Sequence, residues 1–149
     1  MPGASAKGVC IGPGCDGGDA NDNSNLMHCI HSVCMLQYFV AAQRENPVPG
    51  PKEFLRYATS ERAGLPGRKD IGRLRPGMAA DLFAIDTRRM DYVGTRYDPE
   101  SLPGRFGIGM PTDLTMVNGR IVWKDGEFPG LDEAGMAAEA EAVMKATLE

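Results

Sequence analysis

Residues 12–25 read GPGCDGGDANDNSN and follow directly on the short apolar run GVCI at residues 8–11. The run has a β-branched residue at each end of its apolar part and lies between glycines, which predicts a brief buried strand. The turn after it concentrates three aspartates and three asparagines among glycines. A carboxylate such as Asp16, placed where a strand gives way to a Gly-Gly turn, projects into the cleft at a sheet's C-terminal edge, where barrel enzymes keep their chemistry. The plainer reading is that Asp16, Asp19 and Asp22 make side-chain turns and favour the positive end of a following helix.

Two other uses of these donors follow from residue type. The oxygens of Asp16, Asp19, Asn21 and Asp22 suit calcium, but the alternating positions and closing glutamate of an EF-hand are absent. The thiols and imidazoles Cys10, Cys15, His28, Cys29, His31 and Cys34 form C-x4-C-x12-H-C-x-H-x2-C. His28, His31 and Cys34 step by three along the following helix, so a structural zinc held by Cys10, Cys15, His31 and Cys34 is one alternative. The competing reading makes the cysteines small core residues. A phosphate cradle is excluded, because the loop lacks G-x-x-x-x-G-K and its carboxylates would repel phosphate.

Outward from this loop, Asn23 or Ser24 is placed to cap a helix over residues 26–43, with Leu26, Ile30, Val33, Leu36, Tyr38 and Val40 on its apolar side. ENPVPGP at 45–51 ends it. Residues 52–64 carry Phe54, Leu55, Tyr57 and Ala58 at helical spacing and stop at Gly64. Beyond Pro76-Gly77 the period changes to that of a strand, from about Ala80 to Asp86, and LTMVNGRIVWKDGEF reads as a hairpin turning on Asn118-Gly119. Residues 91–111 form a long irregular connection of the kind that covers something or carries function. Residues 132–148 predict a helix with a thin stripe of Met136, Ala140, Val143 and Met144.

Composition bounds the function. The chain has 149 residues, a hydrophobic content of 42% and a net charge of -4. That is ordinary for one folded domain and unfavourable for nucleic acid or anionic membrane, so the expected ligand is a small molecule or another protein. The basic residues Arg68, Lys69, Arg73 and Arg75 are interrupted by Asp70 and read as a solvated turn. With 19 glycines and 11 prolines, turn-formers exceed the roughly 12% of average usage, so short elements and ordered loops are expected. No membrane-span-length apolar run and no secretory leader is visible, and four cysteines confined to the first quarter of the chain read as reduced, which implies the cytoplasm.

GVCIGPGCDG with ANDNSN, then FLRYATSERAGLPGRKDIGRLRPGMAADLFAID, then LTMVNGRIVWKDGEF together resemble the carboxyl-terminal third of an amidohydrolase-superfamily enzyme, in the branch of metal-dependent heterocycle deaminases and chlorohydrolases that includes 8-oxoguanine deaminase-like proteins. The resemblance runs to about Phe128. Its most specific pieces are Asp16-Gly17 and the run from Ile71 to Leu82 that fits I-G-x-L-x-P-G-x-x-A-D-L.

The resemblance implies an α/β fold: residues 1–64 as the last β/α unit of a (β/α)8 barrel and the helix after it, 65–130 as part of a composite β-sandwich, and 131–149 as a C-terminal helix. It implies that Asp16 is a ligand of a catalytic divalent metal, zinc or iron, and relays a proton during hydrolytic deamination of a purine, pyrimidine or triazine-like ring. Gly17, Asn21 and Asp22 would shape the loop. The family's His-x-His, later histidines and helper glutamate have no counterpart here. The chain is therefore expected to be inactive alone, to need a missing N-terminal barrel portion, and to be a homo-oligomer when complete. Two alternatives stand beside this one: an independent structural-zinc module, and a subunit completing a separately encoded barrel.

Overall fold

The computed structural model describes residues 2–5, 7–16, 25–44 and 49–148. After a single helical turn, α1 (Pro2–Ser5), residues 9–16 adopt no regular secondary structure. The strand expected at residues 8–11 is thus not formed. A strand exists only when another strand satisfies its backbone groups, and among the described residues none pairs with this run.

The long helix α2 (Leu26–Arg44) matches the expected span. Asn25 caps it, its Oδ1 accepting the backbone N–H of Met27 at 2.9 Å and of His28 at 3.4 Å, while the expected caps Asn23 and Ser24 lie outside the described residues. The helix is apolar on nearly every side, so spacing alone could not choose its inner face. Ile30, Cys34 and Ala41 are buried, whereas Leu36 and Val40, expected on that face, are exposed beside Met35 and Phe39.

The second helical segment starts at Pro51, one residue before the expected position, because proline is well suited to a first helical turn. Gly50 and Glu53 form a reciprocal cap, with Glu53 Oε2 accepting the Gly50 N–H at 3.2 Å. The segment runs as α3 (Pro51–Arg56), a wide π turn at Tyr57–Glu61 and α4 (Arg62–Gly64), ending where the sequence places its end. Phe54 and Tyr57 pack with Cys34 of α2, joined by Ile11, Val33 and Tyr38. The rings meet edge to face, Tyr38 to Phe54 at 6.2 Å and Phe54 to Tyr57 at 6.3 Å between centroids.

The sheet is antiparallel, with order β1 (Leu82–Ala84), β2 (Leu114–Val117) and β3 (Arg120–Lys124). The first strand is shorter than Ala80–Asp86, since the backbone N–H of Asp86 is taken by the Asp113 carboxylate at 2.6 Å instead of a strand partner. The β2–β3 hairpin turns on Asn118-Gly119 as expected, with φ of 48° and 78°, the left-handed pair that a two-residue hairpin turn needs. A bulge between Thr115 and Met116 shifts the register.

Residues 91–111 are ordered rather than merely irregular. Three short 3-10 turns (Met90–Tyr92, Thr95–Tyr97, Pro99–Ser101) lead into a second π turn (Leu102–Phe106) that packs on α2. Tyr92, Leu102 and Ile108 form a second core there, with Met27 and Ile85 against it. The last helix, α5 (Glu133–Leu148), has no buried residue, so its apolar stripe of Met136, Val143 and Met144 lies on the surface.

Candidate functional site

The segment that delivers Asp16 is held by the far end of the second helical segment. Ile11 packs on the Phe54–Tyr57 core, and Pro13 is buried. The Cys10 thiol donates to the Glu61 carbonyl at 2.9 Å, and Arg62 Nη1 donates to the Pro13 carbonyl at 2.7 Å. Gly12 lets the two backbones meet: a Cβ there would fall 2.8 Å from Arg62 Cβ and 3.2 Å from its Cα. Asp16 emerges three residues after Pro13, exposed, with φ of 61° in the left-handed region that aspartate tolerates better than most side chains. Gly17, Asn21 and Asp22, expected to shape the loop, lie outside the described residues.

Around the clamp the charges are arranged for structure. Glu61 Oε1 is 3.0 Å from Arg56 Nη1 and accepts the Ser5 hydroxyl at 3.4 Å, while its Oε2 is buried without a hydrogen-bond partner among the described residues. A groove of about 860 Å³ opens between this helical segment and the sheet, lined by Leu55, Ala58, Arg62, Ala63, Leu82 and Met116 among others. Asp16 is not among its lining residues.

The alternative zinc ligands are not brought together. Cys34 is fully buried between Phe54 and Tyr57, and burial pushes its thiol pKa up against the lowering effects of Tyr38 and Arg105. His31 Nδ1 stands 2.8 Å from the Gly104 carbonyl, a bond that requires this nitrogen to carry the proton. Cys10 is engaged at Glu61, and Cys15 is half-buried. Among the described residues no group of three or more histidines, cysteines, aspartates or glutamates is gathered to hold a metal ion. All four cysteines are thiols outside any disulfide.

Among the described residues the donor set therefore does not make a divalent-metal centre; what the loop offers there is the carboxylate of Asp16. The basic cluster behaves as a solvated turn, with Arg68 forming two 2.6 Å bonds to exposed Asp70. Glu61 and Arg62 were not singled out by sequence. Their role depends on a contact across 49 positions that no local pattern announces.

The amidohydrolase family model matches residues 1–122. The chain is 46% identical over 145 residues to hydroxydechloroatrazine ethylaminohydrolase of Pseudomonas sp. (strain ADP), a match that covers 97% of this chain and 30% of that protein. It is 34% identical to 8-oxoguanine deaminase of Pseudomonas aeruginosa, over 96% of this chain and 31% of that one. Among solved structures, atrazine chlorohydrolase from Arthrobacter aurescens TC1 complexed with zinc superposes with a TM-score of 0.78 at 25% identity, covering 93% of this chain and 30% of the enzyme. The chain thus spans about a third of the length of the relatives it matches.

Proposed function

Because this chain belongs to the amidohydrolase family, we propose that it supplies the aspartate-bearing part of a metal-dependent hydrolase that cleaves exocyclic C–N bonds of a nitrogen heterocycle. The observation that carries the reading is the 46% identity to an ethylaminohydrolase across 97% of this chain, a span that includes Asp16 and the clamped residues before it. On this reading residues 1–64 belong to the last unit of a (β/α)8 barrel, 65–130 to a β-sandwich and 131–149 to a terminal helix. The helices and the antiparallel sheet are compatible with that division.

Asp16 is proposed as one ligand of a zinc or iron site whose other ligands the described residues do not gather. A divalent ion there would lower the pKa of a water toward neutrality. The Asp16 carboxylate is exposed and lies beyond the Glu61 and Arg62 clamp, and on this reading it would relay the proton of that water. One carboxylate does not retain such an ion, so the chain alone is proposed to be inactive and to act with an N-terminal barrel portion on a small heterocycle. The four unbridged thiols support a reducing compartment, the cytoplasm, and among the described residues no helix is long and apolar enough to cross a membrane.

The test is a chimera in which this chain replaces the matching segment of the Pseudomonas ethylaminohydrolase, assayed for release of the amine with Asp16 intact and as Asp16→Asn. The expected result is turnover by the first and its loss, by about a thousandfold or more, in the second. An active Asp16→Asn chimera would remove Asp16 from the metal site.

A further inference from the structure

Two apolar surfaces of this chain are left uncovered, and they carry opposite charge. The first is α5, of which no residue is buried. Met136, Val143, Met144 and Leu148 are each more than half exposed. With Ala140 they recur at the three- and four-residue steps that put side chains on one side of a helix. Glu133, Glu139 and Glu141 each lie three positions from Met136 or Met144, so carboxylates rim the stripe. Asp132 stands at the helix start, its Oδ1 accepting the Gly135 N–H at 2.9 Å, and Lys145 is the one basic residue of α5.

The second surface is the groove of about 860 Å³ between the second helical segment and the sheet, where Leu55, Ile71, Leu74, Leu82, Phe83 and Met116 present apolar surface. Leu74 is 71% exposed, a large apolar side chain left to solvent. Arg62 and Arg73 stand in the same wall. Arg62 donates to an uncharged carbonyl, and Arg73 is exposed and in no salt bridge among the described residues. Asp81, the carboxylate among the lining residues, has Oδ1 taken by the Asn118 N–H at 2.7 Å.

We propose that α5 docks, stripe inward, into this groove on a second copy of the chain. Charge selects the pairing. Two α5 helices packed stripe to stripe would gather Glu133, Glu139 and Glu141 of both copies around a single lysine from each, and two grooves face to face would oppose arginines. Helix against groove instead sets those carboxylates beside Arg62 and Arg73. An amphipathic helix laid in an apolar groove is a recurrent mode of recognition, and α5, with 16 residues, offers a stripe about 24 Å long. Within one copy α5 lies outside the groove, since none of its residues lines it. When each copy gives one helix and receives one, the contact occurs twice and the dimer closes on a two-fold axis. The contact does not involve Asp16 and is independent of the hydrolase reading.

The test uses the full 149-residue chain carrying Leu36→Lys and Phe39→Lys, so that the α2 patch takes no part, with circular dichroism checking the fold of every variant. Sedimentation equilibrium should show a dimer. Val143→Lys with Met144→Lys on the helix, or Arg73→Glu with Leu74→Glu at the groove, should each raise the dissociation constant by about tenfold or more. The deciding measurement mixes the two variants. One intact helix and one intact groove then remain, so the mixture should form a 1:1 complex that neither variant forms with itself, weaker than the parent dimer. Stripe-to-stripe or groove-to-groove pairing would not be restored by mixing. A parent that stays monomeric at every concentration reached would overturn the proposal and leave the groove to other polypeptide. A dimer unchanged by either pair of substitutions, or a mixture that stays monomeric, would overturn it as well. If either pair prevents folding, Glu139→Arg and Arg73→Glu, both single changes at exposed positions, are weakened and mixed in the same way, and a failure to recover association there is equally decisive against it.

Discussion

Gly12 and Arg62 approach so closely that a methyl group on Gly12 would stand 2.8 Å from the Arg62 Cβ. Two segments far apart in the chain are locked by the absence of a side chain on one of them. Gly12→Ala must push the loop off α4 or distort the helix end. The expected cost is about 1–3 kcal/mol, the range for overpacking a tight contact, read as a lower Tm in thermal unfolding. Gly14→Ala is the internal control, since nothing lies within 4 Å there, and its Tm should match that of the parent.

His31 ties α2 to the π turn at Leu102–Phe106 through the Gly104 carbonyl, and Gly107 packs on the same ring with φ of 76°. His31→Ala should cost about 1–2 kcal/mol, from the orphaned carbonyl and the packing removed with the ring. Treatment with a chelator should leave the Tm of the chain unchanged, because His31 Nδ1 is engaged by the Gly104 carbonyl and Cys34 packs with Phe54 and Tyr57. A chelator-induced fall of Tm would restore the zinc-module reading.

Cys34 makes stability fall at alkaline pH. Burial raises its thiol pKa above that of the unfolded chain, so as pH rises through the unfolded value, about 8.5, the unfolded state releases a proton that the folded state keeps. Stability contributed by the protonated thiol is fully present below that pH and declines above it. Urea unfolding at pH 7 and pH 10 should show a smaller loss for Cys34→Ala than for the parent. An equal loss in both would place the alkaline sensitivity elsewhere. Thiol labelling should modify exposed Cys10 well before Cys34.

The outward side of α2 carries Leu36 and Phe39, each 61% exposed, with Met35 and Val40 between and beside them. An apolar patch of that kind on a helix promotes association. Leu36→Lys with Phe39→Lys should lower the apparent mass of the chain in concentration-dependent sedimentation while changing Tm little. An unchanged mass distribution would show that this patch does not drive association.

Local elements were legible in the sequence because their causes are local. The hairpin on Asn118-Gly119 follows from two residues that tolerate positive φ, and the end of the second helical segment follows from Gly64. The inner face of α2 was not legible. Apolar residues surround that helix, and only contact with Phe54, Tyr57 and the Leu102–Phe106 turn selects Ile30 and Cys34 over Leu36 and Val40. The strand expected at residues 8–11 failed for a related reason: β-propensity describes a surface that pairs well, and pairing needs a neighbour.

By itself, the sequence determined the family, through Asp16-Gly17, the Ile71–Leu82 run and the hairpin in order, together with most element boundaries. These reside in residue identity and short-range spacing. Only the tertiary structure decided that Cys10, Cys15, His31 and Cys34 stand apart, that Cys34 is core, and that Arg62 holds the segment leading to Asp16. Those outcomes depend on which distant backbones touch, and a contact spanning 49 positions is set by the packing of whole helices rather than by any pattern along the chain.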